Sequence, residues 1–434
     1  MPAGGGGIRA QQTARLVGLA HQKFVTEVPE LLDQLSSEAQ STDEIRRRNL
    51  QQLRRDLKKE TRLPTEHVVA MSQASAAATQ AWAKAKSNNA WAAFQPHLQK
   101  IMDLRRQEAN YIGYDADPYD ALLDGYEPDL KTHQVKDFFT AVKGVLGSLL
   151  EEINAAEPVD DSFLVQEIAQ QKQLEFSIKV LNAMGYDFNR GRQDISAHPF
   201  TISFGSSDVR IYEQGLDQGS YGGYDISACS LSLHESQSRL WENNVGRMLP
   251  FWEHFFEDFR ELFPDKLAGK GPRDVYRAVN CVQPGLVRIY SDELTYHFHI
   301  ILRFELEHAM VNGDLKVADL PGAWNEKIQQ YLGLEVPDFQ RGCLQDIHWS
   351  MGGIGYFPTY SLGSFYAAQI MHAAESHISG LSDQFRGGDF GQLKQWLNEK
   401  IHRPGRLYNA EEIATQATGE ALNVEYFARY ARQK

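Results

Sequence analysis

Apolar residues recur at helical spacing along most of the chain, and strict alternation appears only briefly near its middle. Leucines, valines and a phenylalanine from about Ile8 to Ser36 share one helical stripe. A polar segment rich in strong helix formers follows through Lys59, then alanine-rich text from about Glu66 to Ala85 and a helix from about Ala90 to Tyr111. These read as antiparallel helices with short connections. The run from Asp115 to Pro128 is dense in helix breakers and predicts a loop. Helical periodicity resumes at about Lys131 to Ala155 and Asp161 to Met184.

Strand-like text is confined to His198–Phe204 and Asp208–Ile211, and Gly205-Ser206-Ser207 between them suits a short hairpin. Beyond residue 230 the pattern is helical again, with Pro284, Pro321, Pro337 and Pro358 marking turns. There is no internal repeat and no low-complexity tail. The class predicted is mainly α with one small β-sheet. Such a sheet either lines a site or forms a structural corner.

Composition narrows the partners. The 434 residues are 42% apolar, enough for a sizeable core, and the formal net charge of -13 argues against a general binder of nucleic acid or anionic membranes. Basic runs such as Arg46-Arg47-Arg48 are interleaved with acids and leucines, as on solvated helix faces. Cys229, Cys281 and Cys343 lack CxxC spacing, so no disulfide framework or sulfur zinc site is expected, which suits a cytoplasmic protein. No apolar run reaches the length of a membrane span, and the glycine-rich start has no signal-peptide core.

One stretch concentrates polar chemistry. From Leu233 to Asn243 a His234-Glu235 pair, Gln237 and Arg239 surround an apolar stripe of Leu233, Leu240 and Trp241. Taken alone it is equally well an amphipathic helix with a solvated face. Its company is more telling: His198-Pro199-Phe200 with Asp208-Val209-Arg210, Val287-Arg288-Ile289-Tyr290-Ser291-Asp292-Glu293, Gly342 to Trp349, and Gly355 to Tyr360. With His234-Glu235-Ser236-Gln237, this ordered set closely resembles the M32 (carboxypeptidase Taq) family of metallocarboxypeptidases, from the first residues almost to the last.

The resemblance implies a zincin-like helical fold with a long groove, a small sheet near the active site, one divalent metal (zinc, or another such as cobalt) and a homodimer. It implies a single peptidase domain over residues 1–434, with N-terminal helices (1–130) flanking the groove and a catalytic core (131–434). The substrates implied are peptides with a free C-terminus, which lose single residues. Residue by residue, Glu235 matches the third metal ligand, and Arg288 an arginine that holds the substrate's terminal carboxylate. His348 and Tyr360 match groups lining the reacting carbonyl. Gln345, Asp208, Arg210 and His198 fall in motifs expected to line the substrate site. A guanidinium fork suits a carboxylate, and an imidazole or phenol can donate toward an oxygen that gains charge.

The family's HExxH is missing. That motif sets two histidines one helical turn apart to ligate the metal and leaves its Glu as general base. His234-Glu235-Ser236-Gln237-Ser238 ends in Ser and already fills the third-ligand position. In the family a helix bearing HExxH stands between text like Asp208-Val209-Arg210-Ile211 and text like Tyr212-Glu213-Gln214-Gly215, which here are joined directly. Roughly two dozen residues are missing against the motif's usual surroundings. The start also resembles a point inside the family's first helices, and the end looks a few residues short. An omitted exon or a diverged pseudoenzyme would each explain the gap. The expectation is an inactive chain, with a non-catalytic binder of peptide C-termini, or a partner for a full-length homologue, as the alternative. Losing a central apolar helix would also forfeit roughly 9–18 kcal/mol of burial, as much as the whole stability of a typical domain, about 5–15 kcal/mol.

Overall fold

The computed structural model describes residues 5–35, 43–165, 167, 169–193, 203–204, 207–208, 211–216 and 227–434. Its α-helices run in chain order as α1 (Gly6–Gln34), α2 (Glu44–Glu60), α3 (Thr65–Ser87), α4 (Trp91–Ile112), α5 (Pro118–Leu123), α6 (Thr132–Asn154), α7 (Gln170–Ala183), α8 (Ile211–Gln214) and α9 (Leu231–Arg239). They continue as α10 (Leu249–Leu262), α11 (Pro272–Val279), α12 (Tyr296–Asn312), α13 (Leu320–Leu332), α14 (Pro358–His377), α15 (Leu381–Arg386), α16 (Gly391–Leu397), α17 (Ala410–Thr418) and α18 (Glu425–Gln433). The mainly α class therefore holds.

Of the expected hairpin, the described part is a two-residue antiparallel ladder, Ser203 opposite Asp208 and Phe204 opposite Ser207. Ile211, expected to end a strand, instead opens α8. His198 and Arg210 lie outside the described residues.

The chain divides into two compact units. The first holds Met1–Phe139, Gln283–Ser291 and Thr295–Thr359, and the second Thr140–Val282, Asp292–Leu294 and Tyr360–Lys434. Each draws on separate stretches of the chain.

In the first unit α3 packs between α1 and α4. Small residues permit the close approach: a Cβ on Gly18 of α1 would lie 2.7 Å from the Val69 Cγ2 of α3. His21 ties α1 down through Thr65 Oγ1 and the Glu60 carbonyl, both at 3.0 Å. Phe94, Leu98, Ile101 and Met102 of α4 build the core. Helix α12 is buried nearly all round, from Tyr296 to Val311, as a central helix must be. Arg303 and Glu307 are therefore buried charges, and each has to find partners inside the protein.

The breaker-rich run after Asp115 is not all loop. Asp117 accepts from the Tyr119 N–H at 3.0 Å and Pro118 takes the first helical position, so an Asp-Pro pair starts α5. Tyr119, Leu122 and Leu123 then bury it. Conversely, the helix expected from Asp161 begins only at Gln170, because Asp160 Oδ1 accepts from both the backbone N–H and the hydroxyl of Ser162 and holds a turn there.

In the second unit α10 supplies Phe251, Trp252, Phe255 and Phe256 to an aromatic core with Phe390. Phe365 of α14 stacks on Phe427 of α18 at 4.4 Å. A Cβ on Gly363 of α14 would lie 2.8 Å from the Glu235 Cβ, so α9 and α14 touch almost backbone to backbone.

Gly355 of the first unit has φ +94, and an added Cβ would meet Leu122 and Leu123 backbone atoms at 3.0 Å. Gly355→Ala should cost about 1–3 kcal/mol through a strained backbone conformation. Urea denaturation of the two proteins checks this, and Gly353→Ala, which lacks the positive φ, serves as the comparison.

Candidate functional site

Arg288, Gln345 and His348 fall in the first unit. Arg288 sits in a short 3₁₀ turn, Arg288–Tyr290, and is 6% exposed. Its Nε and Nη2 donate to Asp346 Oδ1 at 3.0 and 2.7 Å, and Nη1 donates to the Tyr296 hydroxyl at 3.0 Å. Its backbone N–H donates to Gln345 Oε1 at 2.9 Å. The Gln345 amide in turn donates to the carbonyls of Leu286, Arg341 and Gly342 at 2.8–3.2 Å. Gln345 thus spends its side chain on neighbouring backbone and holds the Arg288 turn in place.

The other oxygen of Asp346 is taken by Arg303, whose Nε donates at 2.7 Å and whose Nη2 lies at 2.6 Å. Arg303 is fully buried, donates to the His299 carbonyl at 2.7 Å, and stacks over Trp324 at 4.6 Å. Burial alone would push the Asp346 carboxyl up, but the Arg303 and Arg288 guanidiniums hold it well below the usual carboxylate range. Burial pulls Arg303 down to about 10 even with Asp346 beside it. His299 is pushed down to about 3 by burial and then by Arg303, so it stays neutral and donates Nε2–H to the Gly285 carbonyl at 2.9 Å.

His348 opens the 3₁₀ turn His348–Met351. Its ring faces Phe357 at 4.7 Å and Tyr356 at 5.1 Å, and Nδ1 is 4.0 Å from Asp346 Oδ1. Asp346 therefore holds Arg288, and the His348 ring lies beside the same carboxylate.

Glu235 and Tyr360 belong to the second unit. Ser230 caps α9 by accepting from the Leu233 N–H at 3.1 Å. Glu235 Oε1 accepts from Arg239 Nε at 2.9 Å and Oε2 from the Ser238 hydroxyl at 3.0 Å. The neighbouring His234 is 2.6 Å from Glu213 of α8 through Nε2, and its ring is tilted against Tyr212 at 5.2 Å. Tyr360, in the first turns of α14, is half-buried. Asp208 is described only as a backbone partner in the ladder.

A divalent metal does not fit what is described. Glu235 is occupied by a cation and a hydroxyl, His234 by a carboxylate, and among the described residues no group of three His, Cys, Asp or Glu could hold an ion. A catalytic zinc takes three protein ligands.

Sequence reasoning missed Asp346 and Arg303, which set the geometry of Arg288, and Glu307, which lies one turn beyond Arg303. The available signal was a pair of opposite charges, Arg303 and Glu307, four residues apart on the strongly apolar stretch Tyr296–Val311.

The chain belongs to the carboxypeptidase Taq (M32) metallopeptidase family, whose model matches it in two stretches, residues 1–212 and 211–434. It is 35% identical to thermostable carboxypeptidase 1 of Thermus thermophilus over 463 aligned positions, covering 98% of this chain and 91% of that protein. It is 33% identical to carboxypeptidase 1 of Bacillus subtilis, covering 93% of this chain and 86% of that one. Among solved structures, the M32 carboxypeptidase from Deinococcus radiodurans matches with a TM-score of 0.91 at 36% identity, over all of this chain and 92% of that one. Pyrococcus furiosus carboxypeptidase matches with a TM-score of 0.92 at 33% identity and the same coverage. The family is one of metal-dependent carboxypeptidases, and no helix among the described residues is long and apolar enough to cross a membrane.

Asp346→Asn would leave two buried guanidiniums without their counter-charge and should cost about 3–5 kcal/mol. Because the native carboxyl is depressed, its contribution is fully present above the ordinary Asp range of about 3.9 and is lost as pH falls through and below it. Denaturant titrations of both proteins at neutral and acid pH check the size and the direction, since only the wild type should lose this increment in acid.

Proposed function

We propose that this chain descends from a metal-dependent carboxypeptidase that releases single residues from peptide C-termini, and that, lacking HExxH, it does not itself hydrolyse them. The observation that carries the reading is the absence of the paired histidines, together with a family match that divides at residues 211–212. The alignment of 463 positions, longer than the 434-residue chain, supports a segment present in the relative and missing here. In the parent activity the metal is zinc or a similar divalent ion such as cobalt, the assembly a homodimer and the compartment cytoplasmic.

The remaining residues keep their chemistry. Arg288 would hold the terminal carboxylate of a peptide, and His348 and Tyr360 would donate toward an oxygen that gains charge. Asp208, Arg210 and His198 would line the substrate site. Gln345 would act indirectly, by fixing the Arg288 turn. A second reading follows from Asp346: Arg288 is held by a protein carboxylate rather than by a metal, so capture of peptide C-termini can outlast hydrolysis.

Metal analysis of the purified chain, with an assay of C-terminal release from a blocked dipeptide, tests the first reading. We expect neither stoichiometric zinc nor release, and expect both after a relative's HExxH-bearing segment is inserted between Ile211 and Tyr212. Zinc and turnover in the unaltered chain would overturn it. For the second reading, calorimetry should show a short peptide binding more tightly than its C-terminal amide, whereas equal or absent binding of the two would end it.

A further inference from the structure

Glu307 lies one helical turn beyond Arg303 on α12 and has no exposed surface. Its carboxylate accepts from three separate parts of the first unit. The Tyr119 hydroxyl of α5 donates at 2.7 Å, the Trp349 indole Nε1 at 2.6 Å, and the Gly355 backbone N–H at 3.0 Å. Trp349 directly follows His348, and Gly355 directly precedes Tyr356 and Phe357, whose rings face the His348 imidazole.

We propose that Glu307 is a positioning residue, a buried anion that ties the His348 turn to the Gly355 reversal and loosens that tie when it takes up a proton. The inference is independent of whether the chain hydrolyses peptides.

The donor set fits an ionised carboxylate. An indole N–H and a backbone N–H can only donate, so of the three partners only the Tyr119 hydroxyl oxygen can accept a proton from a neutral Glu307. Protonation therefore puts one of these bonds at risk, and the hydroxyl must reverse its role. Gly355 cannot follow freely, because its positive φ and its packing against the backbone at Leu122 and Leu123 fix the N–H direction.

The surroundings set where this happens. Burial pushes Glu307 up to about 7, against the pull of the Gly355, Tyr119 and Trp349 hydrogen bonds and of Arg303 on its own helix. Around it, α5 presents Tyr119 with Asp117 behind it. Tyr126 follows α5 and is itself backed by Arg105 and Glu108 of α4 and by Tyr356. From α13, Trp324 packs edge-on against Trp349 and adds no charge. A carboxyl raised in the native state binds its proton more tightly folded than unfolded, so the sign is the reverse of that for Asp346. Stability falls as pH rises from the ordinary Glu range, about 4.3, toward neutrality, while the tie to Trp349 tightens.

The test uses the full chain with ¹⁵N-labelled indoles. Trp349→Phe assigns the Trp349 signal among the seven tryptophans. Between about pH 5 and 9, a span above ordinary carboxylate titration, the Trp349 indole N–H should move with one midpoint near neutrality. Glu307→Gln should abolish the movement, and Tyr119→Phe, which removes a donor to the anion, should displace the midpoint to higher pH. A signal flat across the range in the wild type, or one that titrates unchanged in Glu307→Gln, would overturn the proposal. If Glu307→Gln does not fold, the wild-type midpoint and its displacement in Tyr119→Phe decide the question.

Discussion

Asp346 is the constraint on which the first unit's chemistry rests. One carboxylate accepts from Arg288 on one oxygen and from Arg303 on the other. Two guanidiniums cannot be left alone in a low-dielectric interior, and a carboxylate there needs charged donors to stay ionised. Each member is therefore required by the other two. The same carboxylate lies 4.0 Å from His348 Nδ1, so an arginine and a histidine far apart in sequence come together at one side chain. Gln345 and Tyr296 add neutral bonds that fix the Arg288 turn from its backbone and from its far nitrogen.

Much of the fold was legible from periodicity. The helix bounds at α1, α3 and α4 depart from the expected ones by only a few residues, because long amphipathic stretches announce themselves. The errors have local causes. An Asp-Pro pair started α5 inside apparent loop text, and an Asp160–Ser162 turn delayed α7. The candidate site was legible only through the ordered motifs, which singled out Arg288 and Glu235 as candidates but did not say what holds them. Asp346 lies inside the Gly342–Trp349 motif, but nothing in a linear sequence shows that Arg303, forty-three residues away, shares its charge. Gln345 looked like a substrate contact, and its hydrogen bonds show an internal support.

In the second unit Glu235, matched to a metal ligand only by motif resemblance, has the partners of a structural carboxylate, Arg239 and Ser238. Helix α8, which spans the Ile211–Tyr212 junction, has anchors in this unit: Glu213 meets His234, and Gly215 just beyond it lies so close to His402 that a Cβ there would stand 2.4 Å from its ring. What is missing is the neighbouring pair of imidazoles that the family's reaction requires.

On this reading the arginine–aspartate framework assembles from protein charges alone. Hydrogen exchange followed by mass spectrometry, on protein prepared without added metal, tests it most directly. Segments containing Arg288, His299–Glu307 and Gln345–Trp349 should exchange slowly and together, and zinc or a chelator should not change them. Fast exchange in these segments, or protection gained only with metal, would contradict the account.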